Sequence, residues 1–116
     1  MITNPIHEIM RTKKFVPIRR DTDVTLQHHS DREAFRCIGA AEDGKNAYIA
    51  RYTPKPVSKN PGSNDYVYDN ELGRPMLDYD NVLHIKYSRG KWRDANTKAA
   101  LDLAVGVRDE YYDWSF

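Results

Sequence analysis

The chain has 116 residues, of which 40% are apolar and 30% are charged, and its formal net charge is +1. This composition is typical of one globular domain spanning 1–116 and excludes an intrinsically disordered chain. The single cysteine excludes an internal disulfide, and no apolar run approaches the roughly 18 residues of a membrane span. The N-terminus also lacks the pattern of a signal peptide. We therefore expect a cytoplasmic protein without a membrane partner.

The N-terminal part predicts a short helix followed by a hairpin. Residues 4–14 begin with an asparagine cap and a proline suited to a first helical turn. Residues 15–20 and 24–28 are strand-like and flank the turn-forming sequence Asp-Thr-Asp. Pro17 would restrict the first of these strands to a sheet edge.

Residues 35–53 contain the clearest hairpin in the sequence. Two strand-like runs meet at Asp43-Gly44, a pair that favours a two-residue type I′ turn because both positions need a positive φ. A loop of three to five residues within 42–46 is the alternative. Gly39 inside the first strand indicates a β-bulge or a close backbone approach.

A long Pro-rich loop is predicted at about 54–75, where four prolines and two glycines interrupt regular structure. Residues 65–69 are expected to pair briefly as a strand inside it. A long loop of this kind is often functional. Residues 81–88 then predict a strand, and residues 88–91 predict a turn.

The last predicted element is a helix over 95–112. Its apolar residues recur at spacings of three and four, which is typical of a buried helical stripe. Together these elements predict an α+β fold: a small, mainly antiparallel β-sheet of four to five strands with the C-terminal α-helix packed on one face.

Two acidic stretches rich in aromatic residues, 65–80 and 109–116, suggest a protein-binding surface. The alternative is that the C-terminal aromatics close the core. The leading hypothesis is a non-enzymatic protein-binding module, such as a small inhibitor or accessory protein. A viral origin would suit such a chain and would place it in the host cytoplasm; homo-oligomer formation is left open. The candidate partner-binding residues are Tyr66, Tyr68, Tyr111, Trp114 and Phe116.

The basic residues fall into blocks at 11–20, 51–59 and 86–93, between acidic blocks. If the basic blocks meet in space, they form a nucleic-acid-binding surface; if they face the acidic blocks, they form internal salt bridges. Trp92 would then stack on a base or anchor a helix to the core. The candidate nucleic-acid- or phosphate-binding residues are Arg51, Lys55, Arg89, Lys91 and Arg93.

The histidines support a third hypothesis, a small His-dependent hydrolase or nuclease. His28, His29 and His84 are weak catalytic candidates, and adjacent strand residues such as His28 and His29 point to opposite faces. No spacing matches a metal-binding signature, so neither a metal nor a cofactor is expected. Cys37 lies in a predicted strand and is expected to be buried and inert.

Overall fold

The computed structural model describes residues 15–57 and 65–112, which form eight strands and no helix. The predicted helix over 4–14 lies outside the described residues. The strands are β1 (Asp23–Gln27), β2 (Arg32–Ala40), β3 (Asn46–Tyr52), β4 (Lys55–Pro56), β5 (Tyr66–Val67), β6 (Leu77–Ser88), β7 (Lys91–Asp94) and β8 (Leu103–Val105).

Six of the strands form one antiparallel sheet in the order β7-β6-β3-β2-β1-β8, and the other two, β4 and β5, pair with each other. The sheet curls so that its two ends approach each other. Arg93 forms a β-bridge with Ala100, and the Leu101 amide donates to the Trp92 carbonyl at 2.8 Å. Two residues further on, β8 begins and pairs with β1. The fold is therefore a nearly closed all-β barrel, and β4 and β5 form an insertion between β3 and β6.

The predicted C-terminal helix is wrong, and with it the α+β fold. Residues 95–112 instead form a turn, β8 and an extended segment. Some of the apolar residues in the helical stripe also fit a period of two, as Leu101, Leu103 and Val105 do, and these three pack against the core. Gly106 has φ of 85°, a left-handed conformation that ends β8.

The predicted central hairpin is confirmed as β2 and β3, but its loop is the longer alternative. The last paired residues are Ala40 and Ala47, and the Ala41 amide donates to the Asn46 carbonyl at 2.8 Å. Only Gly44 has a positive φ in this loop. The register shifts between Cys37 and Gly39, which confirms the predicted bulge.

A two-residue turn occurs at the tip of the β6–β7 hairpin instead. Arg89 and Gly90 have φ values of 54° and 76°, the positive pair that a type I′ turn requires. The strand predicted over 81–88 is present and begins earlier, at Leu77.

Residues 15–20 are not a strand, so the predicted N-terminal hairpin is wrong, although β1 lies close to its predicted second strand. This segment crosses the end of the barrel beside the β2–β3 loop. The Ile18 amide donates to the Gly44 carbonyl at 3.0 Å, and Ile18 is fully buried. Its backbone therefore pairs with a loop rather than with a neighbouring strand.

The barrel interior is a single apolar core to which every strand of the larger sheet contributes. Cys37 is fully buried there, as expected, and burial raises the pKa of its thiol. The core residues are Ile18, Val24, Leu26, Phe35, Cys37, Ala47, Ile49, Ile85 and Trp92.

The described residues of the segment predicted as a Pro-rich loop are held by backbone pairing. They include β4 and β5, the latter within the predicted short strand, and a bridge between Asp69 and Pro75. The Met76 amide donates to the Tyr68 carbonyl at 2.9 Å, and the Thr53 amide donates to the Met76 carbonyl at 2.9 Å. The insertion is therefore attached to the end of β3.

Candidate functional site

Arg51, a predicted phosphate-binding residue, is committed to an internal ion-pair cluster. Its Nε lies 2.8 Å from Glu33 Oε2 and its Nη2 lies 2.7 Å from Glu110 Oε2, and the side chain is 16% exposed. Burial lowers the pKa of this guanidinium, but hydrogen bonds and charge attraction from Glu110 and Glu33 outweigh burial and raise it overall. Arg51 therefore neutralises the protein's own carboxylates.

The predicted partner-binding tyrosines also make contacts within the molecule. The Glu110 amide donates to the Tyr68 hydroxyl at 2.9 Å, and the Arg108 guanidinium lies 4.6 Å from the Tyr68 ring centroid. The guanidinium of Arg32 likewise lies 4.6 Å from the Tyr111 ring centroid. Tyr68 and Tyr111 thus join the insertion and the last described segment to the barrel.

Tyr66 is half-buried, and burial raises the pKa of its phenol, as it does for Tyr68. Trp114 and Phe116 lie outside the described residues. The structure therefore brings Tyr66, Tyr68 and Tyr111 to one side of the barrel, where none is an exposed anchor.

The structure does not bring the histidines together. His28 pairs with Glu33 just beyond β1, and His29 is exposed beside it. His84 lies on β6, and β3 and β2 lie between that strand and β1 in the sheet. Within residues 15–57 and 65–112, no group of three His, Cys, Asp or Glu side chains is placed to hold a metal ion.

The three basic blocks lie in different environments in the structure. Of block 11–20 only 15–20 is described, and Arg19 donates to the Glu42 carbonyl. Block 51–59 contributes the internal Arg51 and an exposed Lys55 on β4. Block 86–93 forms the β6–β7 hairpin and is the candidate site. It carries four cations, which we call the hairpin cations: Lys86, Arg89, Lys91 and Arg93.

The hairpin cations form no ion pair with any carboxylate in the described part of the chain. In contrast, Arg32, Arg51 and Arg108 all pair with carboxylates. Arg93 is held by carbonyls, since its Nε donates to Ser88 at 3.1 Å and its Nη1 to Lys98 at 3.2 Å. These partners are neutral carbonyls rather than carboxylates.

Strand register places three of the hairpin cations on the outer face of the barrel. Tyr87 and Trp92 are paired and contribute to the core, and Trp92 is only 7% exposed. The pairs on either side, Lys86 with Arg93 and Ser88 with Lys91, therefore face outward. Trp92 anchors the core and does not present its ring to a ligand.

A stacked aromatic pair continues this outer face onto β3. Tyr48 and His84 are cross-strand partners whose ring centroids lie 4.3 Å apart with an interplanar angle of 13°. His84 Nε2 lies 2.5 Å from Asn46 Oδ1, and Asn46 is the partner of Lys86. Sequence reasoning missed Tyr48. The alternation of residues on β3 could be predicted from the sequence, but the pairing with β6 that places His84 opposite Tyr48 could not.

A second surface feature is an open groove of about 530 Å³ in the insertion. Its apolar lining includes Leu72, which is 79% exposed at the tip of a turn. Asn70 Oδ1 accepts hydrogen bonds from the Leu72 and Arg74 amides and so orders this turn. The lining residues are Lys55, Val67, Asp69, Asn70, Glu71, Leu72 and Met76.

No protein-family model, curated protein or solved structure matches this chain. The described residues contain no helix long and apolar enough to cross a membrane. Only the geometry of the chain itself bears on its function.

Proposed function

We propose that this protein binds nucleic acid in the cytoplasm through the outer face of the β6–β7 hairpin. The observation that supports this proposal is the segregation of charge. The hairpin cations lack ion pairs with described carboxylates, whereas Arg32 and Arg108 each have one such pair and Arg51 has two. Cations without carboxylate partners retain their attraction for phosphate, and binding releases the counterions condensed on the nucleic acid.

The near-zero net charge does not oppose this function, because the charges are unevenly distributed. Binding depends on the local potential of a face rather than on the sum over the chain. The carboxylates of Glu33, Asp109 and Glu110 lie at the side where the arginines neutralise them. The hairpin thus presents a positive surface in a chain of net charge +1.

The test is fluorescence anisotropy with a labelled single-stranded oligonucleotide over a range of salt concentrations. The slope of log affinity against log salt should be about −0.7 per phosphate contacted, hence near −3 if all four hairpin cations contribute. The double variant Lys86→Glu/Lys91→Glu should abolish binding. The control, Lys55→Glu/Arg74→Glu, changes the charge equally at exposed positions of the insertion and should retain binding. Absence of binding by the unaltered protein at low salt would contradict the proposal.

A second candidate function is that of a protein-binding module, such as a viral inhibitor or accessory protein. It is favoured by the exposure of Leu72 beside the groove, since a large exposed apolar side chain on an ordered turn suits a partner's apolar side chain. The occupant would be another protein. Replacing both Leu72 and Val67 by Ser should then abolish a complex reconstituted from the purified partner, while Tyr79→Ser should not.

A further inference from the structure

The geometry points to a base-stacking subsite on Tyr48, at which one base of a single-stranded nucleic acid lies flat on the ring while its phosphates contact Lys86 and Arg93. This inference rests on the proposed nucleic-acid binding and specifies its ligand. Stacking requires a base whose face is free, and the bases of a duplex are already stacked on each other. The ligand class is therefore single-stranded DNA or RNA.

The first supporting observation is that one face of the Tyr48 ring has space beside it. His84 covers the other face at 4.3 Å. Across the opposite ladder, on β2, the partner of Tyr48 is Gly39, which has no side chain. A Cβ built on Gly39 would meet no heavy atom of the described residues within 4 Å, apart from those of its two neighbours in the chain. Directly opposed residues lie about 4.5–5.5 Å apart, so the missing side chain leaves room comparable to one flat ring.

The second observation is the exposure and fixed position of the ring. Tyr48 is 49% exposed although it lies in the middle of a central strand. The hydrogen bond between His84 and Asn46 holds the imidazole that supports the ring. A pre-positioned aromatic surface loses little side-chain entropy when a base binds, so most of the stacking energy contributes to affinity.

The third observation is the order of groups on the face. Lys86 lies two residues after His84 on β6 and therefore points to the same side of the sheet. Arg93 is its partner on β7. Across the strands the face thus runs from a gap at Gly39, through the two stacked rings, to two cations. Proteins that bind single strands without sequence preference stack the bases on aromatic rings and contact the phosphates with neighbouring cations.

The experiment separates stacking from phosphate attraction. It compares an oligothymidylate of about 12 nucleotides with an abasic oligonucleotide of the same length and charge, at one low salt concentration. The unaltered protein should bind the oligothymidylate about tenfold more tightly, because stacking one base adds roughly that factor or more. Tyr48→Ala should remove this preference by weakening oligothymidylate binding alone, and Tyr48→Phe should retain it.

Gly39→Leu provides an independent variant, because it fills the space beside the ring without changing any charge or aromatic group. It should also bind the two oligonucleotides equally. The matched control is Tyr79→Ala, which removes a tyrosine that is 69% exposed on β6 but five residues from His84. Circular dichroism and thermal unfolding of each variant verify that the barrel is retained.

Three results would each contradict the subsite. They are equal binding of the two oligonucleotides by the unaltered protein, an undiminished preference in folded Tyr48→Ala, and an undiminished preference in folded Gly39→Leu. In each case salt-dependent binding would still support the proposed function. If the unaltered protein bound neither oligonucleotide, that result would instead contradict the proposed function and the subsite together.

Discussion

At the scale of single residues, Arg51 shows how partners distant in the chain decide what a charged side chain does. Its two carboxylate partners, Glu33 and Glu110, are 18 and 59 residues away. Sequence reasoning placed Arg51 in a basic block, and the neighbouring residues offered no reason to separate it from Lys55. The separation comes from the folded sheet and from the last described segment, which brings Glu110 onto the barrel.

Replacing Arg51 by Met should lower the free energy of unfolding by about 3 kcal/mol, because two poorly exposed carboxylates then lose their shared cation. Urea denaturation measures this change. Arg74→Met is the matched control: Arg74 is an exposed arginine, and its removal should change stability by less than about 0.5 kcal/mol. Equal effects of the two substitutions would show that the cluster around Arg51 contributes little.

Tyr52 gives a prediction for alkaline pH. Its hydroxyl donates to Asp23 Oδ1 at 2.5 Å, and burial together with this hydrogen bond raises the pKa of the phenol. The folded protein therefore keeps a proton that the unfolded chain loses above about pH 10, so the free energy of unfolding should fall as pH rises past that value.

Tyr52→Phe should make this alkaline decrease shallower, which urea denaturation at a series of pH values would measure. Tyr79→Phe removes an exposed hydroxyl and serves as the matched control. The interpretation would be wrong if Tyr52→Phe and the unaltered protein lost stability in parallel above pH 10.

At the scale of elements, local signals predicted the strands and non-local pairing decided the rest. The β2–β3 hairpin and its bulge follow from alternation and from Gly39, which are local. The apolar residues within 100–107 fit both a helical stripe and a period-two pattern, so periodicity alone cannot distinguish a helix from a strand there. The strand forms because β1 has an unpaired edge, and pairing with β8 satisfies the backbone hydrogen-bonding groups of that edge. The same dependence on pairing concealed the Tyr48–His84 stack.

The β2–β3 loop and the segment crossing it should depend on Gly44. Alanine there suffers the strain of a positive φ, about 1–2 kcal/mol, and its Cβ would lie 2.4 Å from Pro17 Cβ. Gly73 has nearly the same φ, 72°, but open space around it. Gly44→Ala should therefore destabilise the protein more than Gly73→Ala, by about 1–3 kcal/mol in thermal or urea unfolding. Equal losses would mean that Pro17 does not lie against this glycine.

At the scale of the whole molecule, the barrel separates two kinds of charged surface. Ion pairs gather where β1, β2 and the last described segment meet, and the hairpin cations lie on β6, on β7 and in the turn between them. The sequence showed alternating basic and acidic blocks, but alternation along a chain does not reveal which blocks become neighbours in a sheet. Arg51 of one basic block became internal, whereas the block at 86–93 remained on the surface.

Cys37 reports on the integrity of the whole barrel, because its thiol is fully buried in the core. Native protein should react with a thiol reagent at least about 1,000-fold more slowly than protein in denaturant, since modification requires the rarely populated unfolded state. Gly44→Ala should accelerate the reaction about tenfold for each 1.4 kcal/mol of stability that it loses, because the unfolded population rises by that factor. Rapid modification under native conditions would show that the barrel opens locally at β2.

The pairing of β1 with β8 has a consequence for synthesis on the ribosome. Thr25 on β1 bonds to the carbonyl of Val107, 82 residues later. During translation, β1 to β3 emerge with one edge of β1 unpaired until residues beyond 105 leave the exit tunnel. Contacts so distant in sequence also form slowly. The nascent chain therefore exposes an open β-edge from the emergence of β1 until the emergence of β8, and we expect chaperone contact with the emerging chain to end only after β8 has emerged.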